Sequence, residues 1–135
     1  MSHNHEHAHD EHTHTHGHEE HEHTDGEVEV TTHDGAVIAS VGFVSRQPEE
    51  RLSALMTEEL SRFGRQIGAL GGIIGHVKAA VTSRRVTTFS LTEPDTEPGV
   101  AALGCESTVQ LAAIVFGVAE DALKTIAERA VSALR

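Results

Sequence analysis

Apolar and polar residues alternate in short runs between Glu27 and Val44 and then recur at three- and four-residue steps from Leu52 to Leu70. Strict alternation places successive side chains on opposite faces of a strand, whereas the wider step is the period of a helix face. Glu27-Val28-Glu29-Val30-Thr31 therefore predicts a half-buried strand, and Ala36 to Val44 a second one. His33-Asp34-Gly35 between them carries the Asp-Gly signal of a tight hairpin turn. Pro48 followed by Glu49-Glu50 marks a helix start, because proline suits the first turn and carboxylates complement the positive end of the helix dipole. Leu52, Leu55, Met56, Leu60, Phe63, Ile67 and Leu70 form one face of that helix, and Gly71-Gly72 ends it.

Further strands are predicted over Ile73–Thr82 and Val86–Thr92, with Ser83-Arg84-Arg85 as the break between them. Two prolines keep the acidic stretch Glu93–Gly99 out of any central strand or helix interior. Val100–Gly104 reads as a short strand and Thr108–Val118 as a buried one. A second helix is expected over Ala119–Leu134, with Leu123, Ile126, Ala130, Val131 and Leu134 on one face. The order β-β-α-β-β-(β)-β-α predicts an α+β fold: a two-layer sandwich with a largely antiparallel sheet and two helices on one face. Ile73, Val77 and Val81 leave room for a homodimer.

Residues 1–26 have a different character. They hold His3, His5, His7, His9, His12, His14, His16, His18, His21 and His23, seven acidic residues, and no Lys or Arg. Such a stretch buries too little apolar surface to offset the entropy of ordering, which predicts a disordered tail before a domain spanning 27–135. The histidines repeat every nine residues, in groups closed by Asp10-Glu11 and Glu19-Glu20. The chain has 135 residues and a formal charge of −11, of which the tail carries −7. That balance excludes a general nucleic-acid binder, which needs a basic footprint, and disfavours anionic membranes. The single cysteine, Cys105, excludes an intrachain disulfide and fits a reducing, cytoplasmic setting. No apolar h-region marks the first 26 residues, and no apolar run is long enough for a transmembrane helix.

Imidazole is the commonest ligand for borderline divalent metals. In extended chain, residues i and i+2 point to the same side, so each His-x-His pair can offer two nitrogens to one ion. At three to four nitrogens per ion, ten histidines serve roughly two to three ions. With no thiolate in the tail, Cu(I) and thiolate-zinc sites are disfavoured; Ni(II), Zn(II), Co(II) and Cu(II) remain, and nickel, zinc or cobalt is the expected cargo. His33, beside the Asp34-Gly35 turn, extends this ligand set. His76, in an apolar strand, and Cys105 are further candidates for a fixed site. Two rival readings stand beside metal handling: an interaction module with an incidental tail, and a small enzyme using His76 and Cys105. No Ser/His/Asp set, catalytic carboxylate pair or Cys-x-x-Cys is present to name a reaction.

The tail, His3 through His23, resembles the His-rich extensions of nickel, cobalt and zinc metallochaperones, notably the GTPases that mature hydrogenase and urease and the CobW-type GTPases. The resemblance implies a bacterial metallochaperone context, with a metallochaperone GTPase or a metalloenzyme as partner. The body departs from those GTPases: its glycine-rich stretch Gly64–Lys78 lacks the Gly-Lys-Ser/Thr of a phosphate loop. The segment Gly71-Gly72-Ile73-Ile74-Gly75-His76-Val77-Lys78-Ala79 is similar to small uncharacterised bacterial proteins found with CobW-type partners.

Overall fold

A computed structural model describes residues 25–90, 93–94 and 97–135. Residues 1–24 of the predicted disordered tail, with His3 through His23, lie outside the described residues. The elements are β1 (Glu29–His33), β2 (Ala36–Ser45), α1 (Glu49–Ala69), β3 (Ile73–Ser90), β4 (Gly99–Phe116) and α2 (Glu120–Leu134). They form the α+β arrangement expected: one sheet of order β1-β2-β4-β3, antiparallel at every pairing, with both helices on one face.

Each connection follows from local chemistry. β1 and β2 are joined by Asp34-Gly35 with His33 opposite Ala36, so the loop has two residues. Both take positive φ, 49° at Asp34 and 80° at Gly35, the conformation that matches the right-handed twist of the flanking strands. α1 buries Leu52, Met56, Glu59, Phe63 and Ile67 along one stripe, with Leu55 and Leu60 half-buried beside it. Leu70, expected on that stripe, is instead the exposed C-cap. α2 buries Leu123, Ile126, Ala127, Ala130, Val131 and Leu134. Its N-terminus is tied to the sheet where the Thr32 hydroxyl donates to the Glu120 carboxylate.

The core lies between the helices and the inward rows of the two central strands. Val37, Ala39, Val41 and Phe43 of β2 face in with Val109, Leu111, Ala113 and Val115 of β4. At its lower end the apolar packing gives way to a row of serines. Ser45 and Ser107 are fully buried; the Ser45 hydroxyl donates to the Leu134 carbonyl (2.5 Å), and the Ser83 and Ser107 hydroxyls share a hydrogen bond (2.9 Å).

Two expectations are corrected. The strands predicted over Ile73–Thr82 and Val86–Thr92 form one strand of 18 residues, and Val100–Gly104 and Thr108–Val118 likewise merge into an 18-residue partner. The proposed break at Ser83-Arg84-Arg85 is a register shift between Arg84 and Val86, so the ladder bends there and continues. β2 pairs with β4 only as far as Ser45–Ser107. Beyond that row β3 and β4 run on as a two-stranded ribbon with, among the described residues, no third strand beside it; the start of α1 meets its foot, where Arg85 lies 3.9 Å from Glu49. Its seven β3 residues, 84–90, extend about 23 Å at roughly 3.3 Å per residue.

Candidate functional site

The histidine tail enters the body at Asp25 and Gly26. Composition assigned both residues to the tail, yet they bond to β2 where β1 no longer covers it. Gly26 N–H donates to the Gly42 carbonyl (2.9 Å), and Val44 N–H donates to Asp25 Oδ1 (2.9 Å). The Arg135 guanidinium closes the clamp, with Nη2 donating to the Asp25 carbonyl (2.8 Å) and to Oδ2 (2.9 Å). The Arg135 carbonyl in turn accepts from Gln47 Nε2 (3.4 Å). Charge-assisted bonds of this kind are the stronger sort, though this pair is partly solvated. The root thus sits at the lower end of the sandwich, beside the base of the ribbon. An open recess there is lined by Asp25, Val44, Arg46, Glu106 and Arg135, two carboxylates against two guanidiniums.

The sheet face away from the helices carries a second, shallow concavity of about 630 Å³, lined by Ser40, Gly42, Lys78, Thr108, Gln110 and Ala112 among others. Its small side chains and single lysine give it no convergent ligand set.

The body's candidate residues do not converge. His33 is exposed at the end of β1, with Nε2 3.1 Å from Asp34 Oδ2. His76 is exposed on β3, opposite Ile114. β1 and β3 are the two edges of the sheet, three strand spacings or about 14 Å apart, beyond the reach of one ion's coordination shell. Cys105 lies in β4 at the register shift, nine residues from Ile114 and therefore about 30 Å along the strand from His76. Within one chain that separation keeps the two positions out of first-shell or hydrogen-bond reach of each other. Among the described residues, no three His, Cys, Asp or Glu side chains stand close enough to hold a metal.

The glycine-rich stretch serves packing. Gly71, at φ 75°, follows the helix C-cap, and Gly72 N–H donates to the Ile67 carbonyl (3.0 Å). A Cβ at Gly72 would fall 2.3 Å from Val118 Cγ2 and 2.9 Å from Ile67 Cγ2, both buried. Close approach of chain to chain, with no anion cradle, accounts for the glycine.

The Asp25–Arg135 clamp was not anticipated from the sequence. Its one available signal was the dipeptide Asp25-Gly26, a turn signature at the point where the composition changes. No protein-family model matches the chain, and no curated protein is significantly similar to it. Among the described residues, no helix is long and apolar enough to cross a membrane.

Proposed function

We propose that this chain is a cytoplasmic accessory protein that collects divalent transition metal, nickel, zinc or cobalt, on its histidine tail and passes it on by ligand exchange. The recipient is a metallochaperone GTPase or a metalloenzyme. The observation that carries the reading is the spacing of the ten histidines from His3 to His23, all of them in His-x-His steps with acidic residues between the groups. Such pairs supply nitrogens without a preformed pocket, which suits reversible loading better than catalysis. The carboxylates raise the local cation concentration.

The clamp supports the same reading. His23 precedes the clamped Asp25 by two residues in the sequence. A second reading, an interaction module with an incidental tail, draws support from the long uncovered ribbon beside that root.

Calorimetric titration of nickel and zinc chloride into the full chain, and into a full chain with the ten tail histidines replaced by serine, tests the proposal. The native chain is expected to take up roughly two to three ions, and the variant close to none. Equal uptake by both would show that the tail is not the collector. Circular dichroism of both proteins checks that the body is unchanged.

A further inference from the structure

All eight large hydrophobics that the described residues leave exposed lie on β3, on β4 or at the turn into β3: Leu70, Ile73, Ile74, Val81, Val86, Phe89, Val100 and Phe116. Ile73 and Phe89, near opposite ends of β3, are 68% and 71% exposed. Together the eight leave on the order of 800 Å² open, about what one partner contributes to a stable protein–protein interface.

The same strand is an open edge. Among the described residues β3 pairs only with β4, on one side; it runs for 18 residues and contains no proline. Proteins normally blunt such an edge with short strands, proline, charges or bulges; β3 has Lys78 and two register shifts but is long and free of proline. A two-stranded ribbon alone is also marginal in water. Edge and ribbon therefore lack the same thing, a neighbouring strand with apolar side chains.

We propose that a second copy of this chain supplies it, the two β3 strands pairing antiparallel about a two-fold axis near Ala80 to make one continuous eight-stranded sheet. Three features favour a second copy over an unrelated partner. First, the apolar residues sit in two groups at opposite ends of one strand, Leu70, Ile73 and Ile74 at the start and Val86 and Phe89 at the far end. An isologous antiparallel contact lays each group on the other. Second, the longest regular stretch of β3 lies between its register shifts at Ile74/His76 and Arg84/Val86, and the midpoint of that stretch, His76–Arg84, is Ala80. Third, that centre opposes Ala79 to Val81, Val77 to Ser83 and Lys78 to Thr82, with matching faces and no pair of permanent like charges. At the ribbon's foot the ladder sets Arg84 opposite Glu106, and Arg85 lies 3.9 Å from Glu49, so each base has an acidic neighbour within the chain. Each ribbon then runs along the Leu70–Ile74 end of the other copy, so the apolar side chains near both ribbon tips are covered.

The test is sedimentation equilibrium of the full chain with a chelator present, which removes any bridging by metal on the tails. The expected mass is twice the 14.5 kDa of one chain. Phe89→Glu should raise the dissociation constant at least tenfold while leaving the circular dichroism spectrum unchanged, since Phe89 supports nothing in the single copy. To locate the axis, Cys105→Ser supplies a thiol-free background, into which Ala80→Cys or Thr57→Cys is placed. A short bis-maleimide should cross-link the Ala80→Cys chain into dimers and leave the Thr57→Cys chain, marked on the exposed face of α1, uncross-linked. A chain that stays monomeric at 100 μM or more, or a dimer indifferent to Phe89→Glu and not cross-linked at position 80, would overturn the proposal.

Discussion

Replacing Gly72 by alanine should weaken the protein, while the same change four residues earlier, at Gly68, should strengthen it. The two glycines belong to one glycine-rich stretch, and only geometry separates them. At Gly72 the added methyl lands 2.3 Å from Val118 Cγ2, 2.9 Å from Ile67 Cγ2 and 3.1 Å from the Ile67 carbonyl. Ile67 is wholly buried and Val118 nearly so, and neither is a flexible side-chain end that can swing aside. Overpacking of this kind costs about 1–3 kcal/mol. At Gly68, inside α1 and exposed, nothing lies within 4 Å of a new Cβ. There alanine restricts the unfolded chain and favours the helix by about 0.5–1 kcal/mol. For a body of this size 1 kcal/mol moves the melting temperature by about 4–8 °C. Gly72→Ala should therefore melt roughly 10 °C lower and Gly68→Ala a few degrees higher, by circular dichroism at 222 nm or by calorimetry. Absence of Trp and Tyr rules out the usual fluorescence assay. A neutral Gly72→Ala would refute the packing account of this stretch and reopen an anion-binding role for its amides.

Glu59 is buried on α1 and held by Arg62 (3.0 Å). Arg62→Ala should cost about 1–3 kcal/mol by stranding that carboxylate, and adding Glu59→Gln should recover part of the loss in a urea-denaturation cycle. Metal uptake by the full chain should fall as pH drops from 7.5 to 5.5, because imidazole binds metal only when neutral and protons compete for the same nitrogens; nickel titrations at both pH values would show it. Uptake that held constant across that range would point to carboxylate ligands instead.

Where burial decides the pattern, the sequence was readable. Phe63 and Ile67, or Leu123 and Ile126, recur at helical steps because one side of each helix meets the sheet. Asp34-Gly35 was readable because its backbone conformation restricts residue choice. The ribbon was not. Ser83-Arg84-Arg85 and Cys105-Glu106-Ser107 look like gaps because nothing apolar is required where the helix layer ends, while the hydrogen-bonded ladder needs no particular side chain. The Asp25–Arg135 clamp joins residues 110 apart, a pairing no local pattern can encode. His76 and Cys105 carried plausible chemistry as residue types, but strand length keeps them apart.

The serines at the lower end of the sandwich have a consequence for how the molecule comes undone. Ser45, Ser107 and Ser83 interrupt the continuous hydrocarbon contacts that make the layers above melt as a unit. Below them, opening a rung of the β3–β4 ladder exposes no additional buried methyl group of the sandwich. Fraying that starts at the tip can therefore travel up to the serine row and halt there, which makes the row a firebreak between a lower-stability appendage and a cooperative block.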